Sequence, residues 1–407
     1  MATRSVLVLG GGVGGVVAAN ELRRRLDPRD RVVMVDRESR HLFQPSLVWL
    51  MAGHRRPERI SRPLRGLLAP EIDLVQAEVR AIDPVTHTVD TSAGALRFDA
   101  LVLALGAELA PDAIEGFADA AHNIFSVPGA SACARQLDGF RGGRVAVAVT
   151  TLPYKCPAAP YEAALVLDGE LRRRGVRAAT EIDLYTPEAQ PMPVAGPVMG
   201  EAVTGLLEAK GIRFHPRTPI ARFEPGSCEL VLGDGSRAGY DLLAGVPPHR
   251  APAALRGSGL TTEAGWVAVD PGTLQTAVEN IYAVGDATSI TLANGKPLPK
   301  AGVFAHAEAL VAARRIALSF GAAAVPGTQF KGRGFCWVET GGAAAAFADG
   351  DFYARPDPSV VLRGPGRIWH GGKLLFERYW LADGLERATA TVLLRGAARL
   401  LGVQAEL

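Results

Sequence analysis

One stretch constrains the fold more than any other. Val6 to Leu9 is an apolar run, a buried strand, that leads straight into Gly10-x-Gly12-x-x-Gly15. Val16 to Leu26 then has the pattern of a helix, and Arg31 to Val35 that of a second buried strand, ending in Asp36. Strand, glycine turn, helix and strand in this order form the βαβ unit that cradles a dinucleotide. Gly10 suits the tight turn, and Gly12 lets the backbone approach a pyrophosphate. Gly15 lets helix and strand pack closely, and the helix N-terminus faces the phosphates. Asp36 follows at about 20 residues, where an acid can hold a ribose hydroxyl.

The remaining chain reads as more of the same architecture. The segment Arg37 to Val48, with Phe43, Gln44, Pro45 and Ser46, suggests a loop closing over a ligand before a short helix. The basic stretch His54 to Arg65 is either a solvated face or a contact for anionic lipid. Glu71 to Asp83 alternates as a strand, and Thr86–Val89 with Ala95–Phe98 suggests a hairpin. Leu101 to Gly106, including Ala104, is a buried strand ending in glycine. A second α/β block opens with the strand Arg144 to Val149, but the next residues are Thr150-Thr-Leu-Pro-Tyr-Lys-Cys156-Pro-Ala-Ala-Pro-Tyr-Glu162. Prolines and bulky side chains stand where phosphate-cradling glycines belong, so this block is not expected to bind NAD(P)H. A helix (Ala163 to Arg174) and the strand Glu181 to Tyr185 follow. Further on, Ile281 to Val284 is a buried strand capped by Gly285-Asp286, and a helix starts near Gly302.

The expected fold is therefore α/β, with two tandem Rossmann-like dinucleotide-binding domains and a C-terminal α+β region. Residues 1–110 and 266–325 make the first domain, 111–265 the second, and 326–407 the C-terminal one. In the last, short strands precede a helix from about Leu385 to Leu401. Its leucines and valines are interspersed with Arg387, Arg395 and Arg399, as in a core or dimer helix or an interfacial membrane helix. The 407 residues carry a formal charge of +2, which offers no nucleic-acid footprint. The first strand begins at about Ser5, and no apolar run reaches the length of a membrane span. The expected location is cytoplasmic, with peripheral attachment to the cytoplasmic membrane as a variant. Four cysteines in so long a chain are no disulfide scaffold. No metal site is expected.

The N-terminal fingerprint, the strand ending at Ala104-Leu-Gly106 and Tyr282-Ala-Val-Gly285-Asp286 resemble the FAD enzymes with two dinucleotide-binding domains. Within them the chain resembles sulfide:quinone oxidoreductase and the flavoprotein subunit of flavocytochrome c sulfide dehydrogenase. That resemblance rests on Phe43-Gln-Pro-Ser-Leu, on Cys156 inside the degenerate second glycine loop, and on the late Cys336 followed by Glu339 and Gly341. It implies FAD in the first domain, with Gly10, Gly12, Gly15, Asp36, Arg37, Gln44, Ser46, Val79, Ala104, Gly106, Gly285, Asp286, Lys300, Gly302 and Val303 around it. It also implies a redox pair, Cys156 and Cys336, beside the flavin, with Lys300 near its N1 and C2 carbonyl. Lys155 is a candidate aid to Cys156, and Glu162 and Glu339 are candidate proton carriers. His306 is the one histidine singled out for testing.

The implied reaction is oxidation of sulfide, or of a small sulfur compound, through the cysteine pair, with electrons passed by FAD to a quinone. The sequence departs from the quinone-reducing enzymes in two places. Cys133 lies at too short an interval to carry their third cysteine's role, and no histidine follows Thr186-Pro-Glu. Alternatives stay open: an NADH:quinone oxidoreductase, a flavoenzyme with another thiol or persulfide donor or a cytochrome acceptor, or a non-catalytic FAD-binding partner subunit. A homodimer is a further candidate assembly.

Overall fold

In the computed structural model the described residues are 3–323 and 325–403. Residues 1–2 and 324 of the expected first domain, and 404–407 of the expected C-terminal domain, lie outside the described residues. The chain divides into two compact units. The first holds the N-terminal segment through Leu42 with Arg62–Glu108 and Arg250–Arg333. The second holds Phe43–Ser61, Leu109–His249 and the segment from Gly334 onward. Of residues 326–407, read from the sequence as a domain of their own, 326–333 fall in the first unit and the segment from Gly334 onward groups with the second, as do the loop and short helix that follow Leu42; residues 250–265, expected in the second domain, belong to the first unit.

The first unit is built on a five-stranded parallel sheet in the order Ile281–Ala283, Ala100–Leu103, Ser5–Leu9, Arg31–Asp36, Asp73–Gln76. All of its strands except the edge strand Asp73–Gln76 are mainly buried apolar runs covered on both faces, which is why they read as continuous apolar stretches rather than alternating ones. The order reverses beside Ser5–Leu9, where Val6 pairs with Val32 on one side and Ala100 on the other. That switch point opens a crevice at the carboxyl ends of the strands. Two helices, Val13–Arg25 and Gly302–Ser319, pack together in this unit. The expected single strand from Glu71 to Asp83 is two strands in different sheets. Asp73–Gln76 is the edge of the parallel sheet, and Val79–Asp83 joins the antiparallel Thr88–Thr91 and Gly94–Arg97. Apolar residues recur on both sides of the break, with Leu74 and Val75 half-buried in one strand and Val79 half-buried and Ile82 buried in the other, so the pattern alone does not mark the change of sheet.

The second unit repeats the plan. Its parallel sheet runs His122–Asn123, Leu242–Val246, Gly143–Val149, Thr180–Tyr185, Ile212–His215. Helix Ala159–Arg173 begins four residues earlier than its hydrophobic pattern suggests, because Pro160 sits in the first turn, where its missing N–H is no loss. The C-terminal strands Arg333–Gly341, Ala344–Asp351 and Ser359–Gly366 are longer than expected and form one sheet. Helix Arg367–Leu381, which the sequence reading did not anticipate, packs on it. The last helix, Gly384–Leu400, buries only Ala390 and Leu394 and leaves Leu385, Val392, Leu393 and Leu400 exposed.

Candidate active site

The glycine turn of the first unit is shaped by contacts that admit no side chain. A Cβ on Gly15 would lie 1.8 Å from the Gly10 carbonyl oxygen, and one on Gly10 would lie 2.4 Å from that of Ala104. Gly12 differs: a Cβ there meets nothing within 4 Å, so its backbone borders open space. Gly12 is also the N-cap of helix Val13–Arg25, whose first turn has neither a capping side chain nor an acid. The helix Gly302–Ser319 likewise starts with no capping side chain and no acid, and a Cβ on Gly302 would lie 3.7 Å from Val13. Two uncapped helix starts therefore lie side by side, with N–H groups and positive dipole ends that suit a pyrophosphate. Asp36 accepts hydrogen bonds from the amides of Gly11 and, at 2.6 Å, Glu38. The residues present fit a dinucleotide.

Other expected cofactor residues of this unit fall around the same sheet. Arg37 follows Asp36 and is exposed, Val79 packs against the apolar core, and Gly106 follows the strand that ends before Ala104. Gly285 adopts φ 71° in a short turn that also holds Asp286. The Lys300 ammonium donates to the Asp286 carbonyl at 2.6 Å and the Thr288 carbonyl at 3.2 Å, and lies 3.5 Å from the centre of the Trp266 ring. Burial brings its pKa down to about 8, against the pull of Asp286 and Glu308. Val303 lies in the first turn of Gly302–Ser319. His306 is half-buried on that helix, and the desolvation of its ring pushes its pKa down to about 4. Gln44 and Ser46 belong to the second unit, where the Ser46 hydroxyl donates to Glu377 at 2.5 Å.

Two groups of the first unit escaped the sequence reading. His41 Nδ1 lies 2.8 Å from the Gly11 carbonyl oxygen, and burial lowers its pKa. Glu308, 1% exposed, accepts a 2.6 Å hydrogen bond from the Gly285 amide. Its place two residues beyond His306, in the helix after the Gly-Asp turn, was the only available signal. Burial pushes its pKa up to about 8, while the Gly285 amide and Lys300 act against the rise. From about pH 5 to 8 the unfolded chain has released this proton and the folded chain still holds it. Stability from Glu308 is therefore lost as the pH rises through that window. Glu308→Gln, which keeps the acceptor and cannot ionise, is expected to gain melting temperature relative to wild type steadily from pH 5 to 8 and to level off above. Melting curves of both proteins across pH 5–9 check this; a difference that stays constant contradicts it.

The second unit brings Cys156, Cys336, Glu162 and Glu339 into one cluster. Cys156 sits in the turn after strand Gly143–Val149 at φ 52°, a left-handed conformation uncommon outside glycine. Cys336 lies on strand Arg333–Gly341, and its thiol donates to the Trp337 carbonyl at 3.2 Å. Neither is in a disulfide. Burial raises the Cys336 pKa well above the ordinary thiol value; Cys156 and Glu162 add to the rise and Lys373 opposes it. Glu162 Oε1 accepts from Lys373 Nζ at 2.7 Å and from the Glu339 amide at 2.8 Å. Burial disfavours the Lys373 charge, but Glu162 and Glu339 outweigh it and the pKa is raised. Burial lifts the Glu339 carboxyl, and its Oε2 lies 2.9 Å from His370 Nδ1. Lys373 and His370 were missed because the helix that carries them was missed. The spacing of Trp369, Lys373, Phe376 and Trp380 along it was the unread signal.

Three neighbouring features qualify the sequence reading. Lys155 is buried, with its ammonium 5.5 Å from the centre of the Phe125 ring. In the basic stretch, His54 pairs with Glu170 at 3.0 Å and Arg55 with Glu377 at 2.9 Å, so these two are part of the unit's framework. Just beyond strand Thr180–Tyr185, Glu188 accepts hydrogen bonds from the hydroxyls of Tyr161 and, at 2.8 Å, Tyr154. An acid near the end of this strand is where a second nucleotide's ribose would be held, and here the chain's own tyrosines occupy it. Cys133 is buried with its pKa pushed up to about 12, and Cys228 is exposed. Among the described residues no group of His, Cys, Asp and Glu could hold a metal ion, and no helix is long and apolar enough to cross a membrane.

The glycine turn and the two helix starts beside it have the shape that admits a dinucleotide's phosphates. The chain belongs to the pyridine nucleotide-disulphide oxidoreductase family, whose model matches residues 4–309. It is an FAD-dependent enzyme of that family. The mitochondrial sulfide:quinone oxidoreductase of Mus musculus is 25% identical over 369 residues, 86% of this chain and 79% of that protein. The type II NADH:quinone oxidoreductase of Staphylococcus aureus is 28% identical over 320 residues, 73% of this chain and 77% of that one. The crystal structure of the sulfide:quinone oxidoreductase of Aquifex aeolicus has the same fold. It superposes with a TM-score of 0.81 at 24% identity and covers 93% of this chain and 90% of that one.

Proposed function

We propose that this enzyme oxidises sulfide, or a related small sulfur compound, through Cys156 and Cys336, and passes the electrons by FAD to a quinone. The observation that carries this reading is the cluster itself. A thiol held in a left-handed turn and a second thiol on the C-terminal sheet lie within electrostatic reach of one another, beside the buried Glu162–Lys373 pair. The likeness to the sulfide:quinone oxidoreductase of Mus musculus supports the donor and acceptor.

The chain's residues divide the work as follows. FAD, held at Gly10, Gly12, Gly15, Asp36 and the Gly285–Asp286 turn, supplies a two-electron acceptor. Oxidation of the two thiols joins Cys156 and Cys336 as a disulfide and releases two protons and two electrons. Hydrosulfide then attacks one sulfur; the S–S bond breaks, one cysteine becomes a persulfide and the other leaves as a thiolate. Glu162 and Lys373 hold a fixed dipole beside Cys336, with the ammonium favouring its thiolate. Lys300 places a cation at the Gly285–Asp286 turn, where charge stabilises an electron-rich cofactor. The exposed apolar face of helix Gly384–Leu400, with Arg387 and Arg395, is the proposed contact for a membrane surface or for a second copy, which liposome flotation and gel filtration separate.

The competing reading is NADH as donor, favoured by the likeness to the Staphylococcus aureus enzyme. The filled Tyr154–Glu188–Tyr161 position and the proline-rich turn argue against it. Anaerobic reduction of the purified protein, sulfide against NADH and each followed by decylubiquinone, tests the choice. Bleaching of the flavin by micromolar sulfide and recolouring by the quinone is expected. Bleaching by NADH alone would overturn the reading.

A further inference from the structure

Beside the half-buried Cys336 thiol, Glu162 and Lys373 have almost no access to water: Lys373 is 2% exposed and Glu162 5%. A proton that enters this buried pair needs a route back to solvent. Glu339, also 2% exposed, borders the pair, because its backbone amide donates to Glu162 and its carboxyl is felt at Lys373. One of its oxygens, Oε1, is buried with no hydrogen-bond partner, so its lone pairs are free to receive a proton. The other, Oε2, lies 2.9 Å from His370 Nδ1, and the His370 side chain is 21% exposed. Exposure thus rises from Glu162 and Glu339 to His370. The ring is steadied there by the edge of Trp49, whose centre is 6.0 Å away.

We infer that Glu339 and His370 conduct protons between the Cys336–Glu162–Lys373 cluster and solvent, with His370 as the outer end. When Cys336 ionises, its S–H bond breaks, the sulfur keeps the electron pair, and the proton enters the carboxylates of the cluster. Glu339 passes a proton to His370 Nδ1, and His370 releases one from Nε2 to water. No electrons move along this line, and no further reactant is needed. An imidazole suits the outer position because one ring nitrogen can accept while the other donates. The inference rests on the reading that Cys336 ionises during turnover.

The test uses the FAD-loaded enzyme, anaerobic, in single turnover with sulfide. Two signals are followed: bleaching of the flavin, and proton exchange reported by a pH-indicator dye. In His370→Gln both are expected to slow by the same factor, about 100-fold, the size of a lost positioned proton carrier. Imidazole added to the buffer is expected to restore most of the rate. His370→Asn repeats the result with a different side chain, and Glu339→Gln combined with His370→Gln is expected to be no slower than either alone. Flavin content and melting temperature verify folding. Wild-type rates in His370→Gln, or a loss that imidazole leaves untouched, would overturn the proton path. Cys336→Ser is the separate control. If it is inactive while His370→Gln is normal, the path alone fails; if it bleaches as fast as wild type, the cysteine reading fails and takes the path with it.

Discussion

Gly15→Ala is expected to give a colourless protein of lowered stability, while Gly12→Ala is expected to fold as well as wild type and hold FAD poorly. The two glycines sit three residues apart in one turn, yet their surroundings differ in kind. A methyl group on Gly15 would stand 1.8 Å from the Gly10 carbonyl oxygen and 3.5 Å from the Ala104 side chain. Gly10 cannot retreat, because its amide is bonded to the Val35 carbonyl at 2.8 Å and its Cα faces the Ala104 carbonyl closely. The strain has to be relieved by moving helix Val13–Arg25 off the sheet. That should destabilise the protein by about 3 kcal/mol or more, the upper part of the range for overpacking a well-filled interior. Gly12 has an extended backbone with φ −70° and open space where a Cβ would go. Alanine there should shift apoprotein stability by no more than about 1 kcal/mol, the order of an N-cap change. Its methyl group would occupy the approach of the pyrophosphate, so FAD affinity should fall at least about tenfold, or about 1.4 kcal/mol. Absorbance ratios of the purified variants, FAD titration of the apoproteins and melting curves measure all three quantities. Equal effects of the two substitutions on apoprotein stability would contradict the assignment.

The same contrast explains what was legible in the sequence. Ser5 to Asp36 could be read because each element of a βαβ unit carries a local signature: an apolar strand, a glycine turn, a helix, an apolar strand and an acid. The second sheet was legible for the same reason, and the loss of its glycine turn could be seen at Thr150 to Glu162. The break between Asp73–Gln76 and Val79–Asp83 could not, because alternation reports which face is buried and not which sheet is joined. Helix Arg367–Leu381 was missed for a related reason. It buries Lys373 and Glu377, so charged residues stand on the face where a sequence pattern looks for apolar ones. Those charges are tolerated because partners from distant segments meet them: Glu162 for Lys373, and Arg55 with Ser46 for Glu377. Pairings over such separations leave no local trace. Glu308 was missed likewise, since only the fold brings its carboxyl to the Gly285 amide.

Cys156→Ser and Cys336→Ser are each expected to keep FAD and to lose sulfide-driven flavin reduction by about 1000-fold or more, the scale of removing a covalent nucleophile. Serine fits either position in size, so folding should survive. Cys156 lies in a turn whose φ of 52° constrains the backbone and not the side-chain type, and the Cys336 thiol makes one hydrogen bond to a carbonyl that a hydroxyl can also make. What serine lacks is the chemistry. A hydroxyl forms no disulfide with the remaining thiol, so hydrosulfide meets no S–S bond to attack, and the two electrons have no route from sulfur. Because the bond needs both partners, the double variant should be no slower than either single one, a non-additivity that marks residues acting as a unit. Cys228→Ser is the internal comparison. Cys228 is exposed and its sulfur stands 3.7 Å from the Pro225 carbonyl oxygen, so that variant should match wild type. Stopped-flow bleaching by sulfide, with flavin content and melting temperature recorded on the same samples, separates the outcomes. Wild-type bleaching in either Cys156→Ser or Cys336→Ser would remove the redox pair from the mechanism. A loss in one variant only would leave a single nucleophilic cysteine, and the other thiol's place in the cluster would then be a matter of packing.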